Sequence, residues 1–150
     1  MTNEVLFTVE GEPIPKGSWR TAQRRGRKVF FPDNPRSIPW EQHVKLKARL
    51  AWKGRTMTTG PVILDLAFTL PRPASHLARI STPAEIVLAR GAPEYPTPHG
   101  SGDLDKLVRG VMDAMTGEIY KDDAQVIAFR TSKKYADGCK CGVVVKVTLA

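Results

Sequence analysis

Two stretches of the chain carry apolar residues at helical spacing, and four shorter ones read as strands. Val5 to Glu10 is the first strand, ended by Gly11, Pro13 and Pro15. Trp40, Val44, Ala48, Ala51 and Trp52 form a stripe that predicts a helix over Ser37 to Lys53, with Ser37 as its cap, Pro39 in the first turn and Gly54 at its close. Glu41, Lys45, Arg49 and Lys53 recur every four residues on another side of that helix and read as a solvated face. Val62 to Leu70 predicts a buried strand. Leu104, Leu107, Val108, Val111, Met112 and Met115 keep helical spacing without a miss, so a second helix spans Leu104 to Met115 and ends at Thr116-Gly117. A strand follows over Ala124 to Thr131, then a turn at Asp137-Gly138 and a last strand over Gly142 to Leu149.

Residues 71–102 break this regularity, with prolines at 71, 73, 83, 93, 96 and 98. Within them Thr82-Pro-Ala-Glu85 has capping-box spacing and predicts a short helix from Pro83 to about Arg90. His76 and His99 read as ordinary surface histidines. The element order predicts one α/β (α+β) domain over residues 1–150, with a mixed sheet, two main helices, an antiparallel C-terminal hairpin and a Pro-rich irregular loop.

A chain of 150 residues supports a single core, and 25% charged residues place it among globular proteins. No apolar run approaches a membrane span and no export signal is visible, so a cytoplasmic protein without a membrane partner is expected. Cys139 and Cys141 read as free thiols at a turn: two sulfurs alone do not make a zinc site.

Charge distribution changes the picture. Residues 1–60 hold 12 Lys/Arg against 5 Asp/Glu, whereas residues 101–150 hold 8 against 7. A basic half therefore adjoins a half with concentrated carboxylates. Lys16, Arg20, Arg24, Arg25, Arg27 and Lys28 crowd a segment whose Gly26 suggests a hairpin tip or mobile arm. Such an arm suits DNA phosphates, with Trp19, Phe30 and Phe31 available to stack on splayed bases; a solvated charged loop is the plainer reading. Lys106, Lys133 and Lys134 extend the candidate DNA contacts.

Four aspartates carry the candidate chemistry. Asp103 and Asp105 open the second helix, and Asp122 and Asp123 precede a strand. Asp103 and Asp105 converge only if Asp103 still belongs to the extended segment before the helix. Residues 116–121 give the chain room to bring Asp122 and Asp123 back toward the helix start. Gathered carboxylates repel unless a cation joins them, and oxygen donors without Cys or His suit Mg2+ or Mn2+. Beside a phosphate-binding surface, that chemistry is phosphodiester hydrolysis. The alternative is that Asp103 caps the helix, Asp105 pairs with Arg109, and Asp122-Asp123 is a turn.

The segment GDLDKLVRGVMDAMTGEIYKDDAQVIAFRTSKKY, residues 102–135, resembles the core of RusA-type Holliday-junction resolvases. Their pattern is Asp-x-Asp-Asn-x-x-Lys-x-x-x-Asp-x-Leu, a spacer, then Asp-Asp-x-Gln-Val. Asp103, Asp105, Asp113, Asp122, Asp123, Gln125 and Val126 fall on it, and VEGEPIPKGSWR resembles the family's opening strand and Pro-rich turn. The resemblance implies metal ligands at Asp103, Asp105 and Asp123 with Asp122 alongside, a Mg2+ cofactor, a four-way DNA junction as substrate and a homodimer. It also implies a catalytic residue at position 109. There this chain has Arg109 for the family's Lys, and Lys106 for its Asn. Arginine does not readily release a proton, so Arg109 would act by charge. Asp113, four residues on, would orient it. A binding protein that has lost catalysis, or a nuclease for other branched DNA, is the alternative. Small basic members of this family occur widely in phages, which points to a phage or mobile-element origin and a host-cytoplasmic setting.

Overall fold

The computed structural model describes residues 2–150. Its elements are β1 (Glu4–Glu10), β2 (Trp19–Arg24), β3 (Arg27–Pro32), α1 (Ser37–Ala51), β4 (Val62–Leu70), α2 (Leu104–Met115), β5 (Val126–Tyr135) and β6 (Gly142–Leu149). The main sheet has the order β1-β6-β4-β5, and β2-β3 forms a separate ribbon. β1 and β4 pair antiparallel with β6, while β4 and β5 run parallel. A parallel pair needs a long crossover, and residues 71–125, including α2, supply it.

The fold class is the expected one, with a mixed sheet and two helices, but the C-terminal strands do not form a hairpin. β5 and β6 run in opposite directions with β4 between them. The reason lies in β4, whose residues 62, 64, 66, 68 and 70 are all buried. A strand this apolar is stabilised at the sheet centre, hydrogen-bonded on both sides, while the more exposed β5 takes the edge.

α1 and α2 pack on each other, and their apolar stripes join the buried strand residues in one core. Trp40, Val44 and Ala48 of α1 and Leu107, Val111 and Met115 of α2 meet Val9, Leu64, Phe68 and Val145 of the sheet. The opposite sheet face is more open and carries the ion pairs Asp65–Arg130 (3.3 Å) and Glu4–Lys146 (3.0 Å). Helix α1 starts one residue off its expected cap: Arg36 holds the cap position without a side-chain bond, and Ser37 is buried inside the helix. The row on its outer side is not merely solvated. Arg49 pairs with Glu118 at 2.8 Å, tying α1 to the turn after α2 and holding that carboxyl below its ordinary range, and Glu41 takes Lys16.

The expected helix over 83–90 is absent. The Thr82 hydroxyl does accept the Glu85 N–H (3.1 Å), but the chain then turns back on itself. Ala78 N–H donates to Val87 O and Ala89 N–H to His76 O, each at 2.9 Å. Eight residues are too few to hold a helix alone, β-branched Ile86 and Val87 favour extended backbone, and pairing with 76–78 satisfies the backbone instead. Arg72 anchors the remainder of this Pro-rich stretch. Its guanidinium donates to Pro93 O (2.6 Å) and Glu94 O (3.2 Å), pairs with Asp137 (2.6 Å) and lies 4.0 Å from the centre of the Tyr135 ring. Cys139 and Cys141 are free, as expected.

Candidate metal centre and nucleic-acid interface

Helix α2 and the turn before β5 build the site. Gly102, at φ +105°, turns the chain into the helix with a backbone angle that glycine adopts without strain. Asp103 then sits at the cap position in extended backbone (φ −72°, ψ 130°), with Asp105 in the first turn. The Asp103 carboxylate accepts no backbone N–H. Capping therefore does not explain it, and its partner is the Lys106 ammonium at 3.2 Å.

After α2 the chain returns as anticipated. Gly117 (φ +85°) makes the reversal, and its N–H donates to Tyr120 O at 2.8 Å. Tyr120 is fully buried and donates its hydroxyl to Met112 O at 2.9 Å. Burial first, and then the nearby Asp123 charge, push its pKa far up, so the phenol stays protonated. Gln125, on the family pattern but without an assigned role from sequence, clamps the turn: its Oε1 accepts from Lys121 and Asp122 N–H (2.9 Å each) and its Nε2 donates to Thr58 O (3.0 Å) and Gly60 O (2.8 Å). Asp122 caps the short turn over 123–125, accepting the Ala124 N–H at 2.8 Å. Its neighbour Asp123 is left uncommitted.

Asp123 and Asp105 line one open cleft of about 400 Å³ together with Val108, Arg109, Met112, Asp113 and Phe129. Asp113 and Asp123 also border an adjoining depression with Asp122 and Thr116. Among the described residues Asp105 makes no ion pair, and the expected alternative partner, Arg109, lies instead 4.0 Å from Asp113. Asp103 does not line the cleft. Among the described residues no three Asp, Glu, His or Cys side chains stand together closely enough to hold one ion. Of the three carboxylates expected to converge, Asp105 and Asp123 border the same cleft, whereas Asp103 faces Lys106, one helical turn on. The donors still fit a hard divalent cation: both are carboxylates free of competing bonds among the described residues, with no thiolate or imidazole lining the cleft.

The basic residues separate into two groups. Arg20, Arg24, Arg25, Arg27 and Lys28 lie on the β2-β3 ribbon, whose tip has Arg25 at φ 50° and Gly26 at φ 75°. That pair of positive angles suits a tight two-residue hairpin turn. The register places Trp19, Thr21, Lys28 and Phe30 on one face and Arg20, Arg24, Arg27 and Phe31 on the other. Trp19 and Phe30 are about 60% exposed (59% and 60%), an unusual display for large aromatics. Lys28 lies over the Phe30 ring at 5.6 Å. Arg20 is paired with Asp33 at the base of the ribbon.

Lys16, Lys106 and Lys133 lie off the ribbon, each engaged by a group within the protein. Lys16 is four-fifths buried between Glu41 (3.2 Å) and Asp113 (2.8 Å). Lys133 donates to Gly102 O at 2.8 Å, bracing the loop that delivers Asp103. Lys134 is exposed. Lys16 and Lys133 are thus internal braces in this structure, where a sequence reading took them for free cations.

A family model described as endodeoxyribonuclease RusA matches residues 10–148. The chain belongs to the RusA endodeoxyribonuclease family. The match takes in the ribbon, both helices, β4, β5 and all but the end of β6, and starts at the last residue of β1. The chain is also 35% identical over 144 residues to the uncharacterized protein YqaN of Bacillus subtilis (strain 168), covering 95% of each. RusA membership agrees with the ordered Asp-x-Asp and Asp-Asp pattern around the cleft. No helix among the described residues is long and apolar enough to cross a membrane.

Proposed function

We propose that this RusA-family chain is a Mg2+-dependent, structure-selective endonuclease that resolves four-way DNA junctions by paired phosphodiester cleavage. The observation that carries the reading is the shared cleft of Asp105 and Asp123, with Arg109 on its wall. Asp105 and Asp123 would hold the divalent ion, with Asp103 joining from the helix cap. A bound ion of this kind supplies an activated water and neutralises charge on the transferring phosphate. Arg109 contributes charge at the phosphate, since a guanidinium keeps its proton. The basic ribbon holds the DNA backbone on the same molecule.

A homodimer follows from the substrate, because two opposed strands must be cut and a two-fold assembly presents two clefts. β6 is interior to the sheet and offers no edge. β5 is an edge strand with Ile127 exposed, and it is our proposed interface. The replacement of the family's Lys by Arg109 favours a second reading, binding of branched DNA without scission.

The test is cleavage of a synthetic four-way junction, a fork and a linear duplex in Mg2+. Paired nicks in the junction at a rate well above the other two are expected. Arg109→Ala should lower the rate by about 100-fold, the scale of losing one charge-stabilising donor. Arg109→Lys should retain most of it. Binding without scission in any metal would establish the second reading.

A further inference from the structure

Lys16 lies outside the cleft but acts on one atom of its wall. The Ile14–Lys16 segment crosses α2, and Lys16 N–H donates to Lys106 O at 3.1 Å. The segment passes over Gly110, where a Cβ would be in ordinary contact with Lys16 Cβ (3.6 Å), Glu41 Oε1 (3.7 Å) and Ile14 O (3.9 Å). From there the ammonium reaches Asp113 Oδ2 at 2.8 Å and Glu41 Oε1 at 3.2 Å.

Arg109 Nε stands 4.0 Å from that same Asp113 Oδ2. Two cations therefore compete for one carboxylate oxygen, and Lys16 holds the short contact. An aspartate four residues after an arginine on a helix is a natural partner for it, and arginine binds carboxylates as a two-pronged fork. Left alone with Asp113, Arg109 would close on it. A guanidinium so engaged has fewer donors for a phosphate.

We propose that Lys16 is a positioning residue of this site: by occupying Asp113 it keeps Arg109 from closing on that carboxylate and leaves the guanidinium free to meet a DNA phosphate. Burial by itself would pull the Lys16 pKa down, but the bonds to Asp113 and Glu41 outweigh it and hold the ammonium charged. The Arg109 side chain, 58% exposed against 19% for Lys16, is the one of the two cations open to a ligand. The inference rests on the nuclease reading only in taking DNA as the source of the phosphate.

Salt-dependent binding of a four-way junction in EDTA tests it, because the slope of log affinity against log salt counts phosphate contacts without needing cleavage. Lys16→Met should reduce the slope by about one contact's share, roughly 0.9, as Arg109→Ala does. Adding Arg109→Ala to Lys16→Met should change nothing more. Adding Asp113→Asn to Lys16→Met should restore the wild-type slope, since the competing carboxylate is gone. A Lys16→Met protein with an unchanged slope overturns the proposal. So does a reduced slope that Asp113→Asn fails to restore, which is what a direct phosphate contact by Lys16 or a damaged fold would give. A wild-type protein with no salt dependence removes the DNA reading itself, and both fall together.

Discussion

Asp105→Asn and Asp123→Asn should each lower junction cleavage by more than 100-fold while affinity for the uncut junction holds or rises. The two readouts move oppositely for one reason. Each carboxylate lines the cleft with Arg109, and Asp105 makes no ion pair among the described residues. Losing a charged oxygen weakens the hold on a cation by more than the 10–100-fold that follows loss of a mere supporting partner. The same change removes a negative charge that repels phosphate. Asn keeps the size of Asp, and neither side chain caps or braces the fold, so melting temperature should shift little. Asp122→Ala is the contrast. Its carboxylate accepts the Ala124 N–H, so the variant should lose a cap worth about 1 kcal/mol and much less activity. Rates and melting curves of the three variants would separate these outcomes. Equal rates for wild type and Asp105→Asn would end the metal assignment.

Replacing Arg24, Arg25, Arg27 and Lys28 together by alanine should flatten the salt dependence of DNA binding. Four phosphate contacts contribute roughly 3–4 to the slope, so about 100-fold of the affinity change between 50 and 200 mM salt should vanish. The loss should be similar for junction and duplex, since phosphates carry no sequence or branch information. Trp19→Ala and Phe30→Ala should behave differently. They sit on the opposite ribbon face from Arg24 and Arg27, with Lys28 over the Phe30 ring. Stacking on a splayed base is worth about 1–3 kcal/mol, so each should weaken junction binding about tenfold and leave duplex binding nearly unchanged. Titrations of both DNAs with each variant read this directly. Unaltered binding by the fourfold variant would make the ribbon a solvated loop.

Local periodicity carried α2 to the residue, because its apolar stripe is uninterrupted and its ends are marked by Asp103 and Gly117. It also carried β4, whose short run of apolar residues is bounded by Gly60-Pro61 and Pro71. What it missed depends on tertiary placement. Nothing local distinguishes β5 as a neighbour of β4 from β5 as a neighbour of β6. The end of β5 was hidden because Thr131 to Lys134 present polar residues on an edge strand. The helix over 83–90 had a cap but too few residues to hold it, with Ile86-Val87 favouring extended backbone. At the site, spacing was enough to bring Asp123 back to Asp105, since the turn geometry is local. The bonds of Lys16 to Asp113 and of Lys133 to Gly102 join residues distant in the chain, and a basic residue in a basic stretch gives no sign that it is buried. A glycine within helix α2 was the one available hint. Gly110 interrupts a strong helix where the Lys16 segment crosses.

Anomalous diffraction from a crystal grown with Mn2+ tests the account at its centre. The predicted result is an ion bonded at about 2.1 Å to oxygens of both Asp105 and Asp123, with the Asp103 carboxylate drawn off Lys106 toward it. Manganese found only elsewhere on the protein, with Asp105 and Asp123 unliganded at saturating metal, would contradict it.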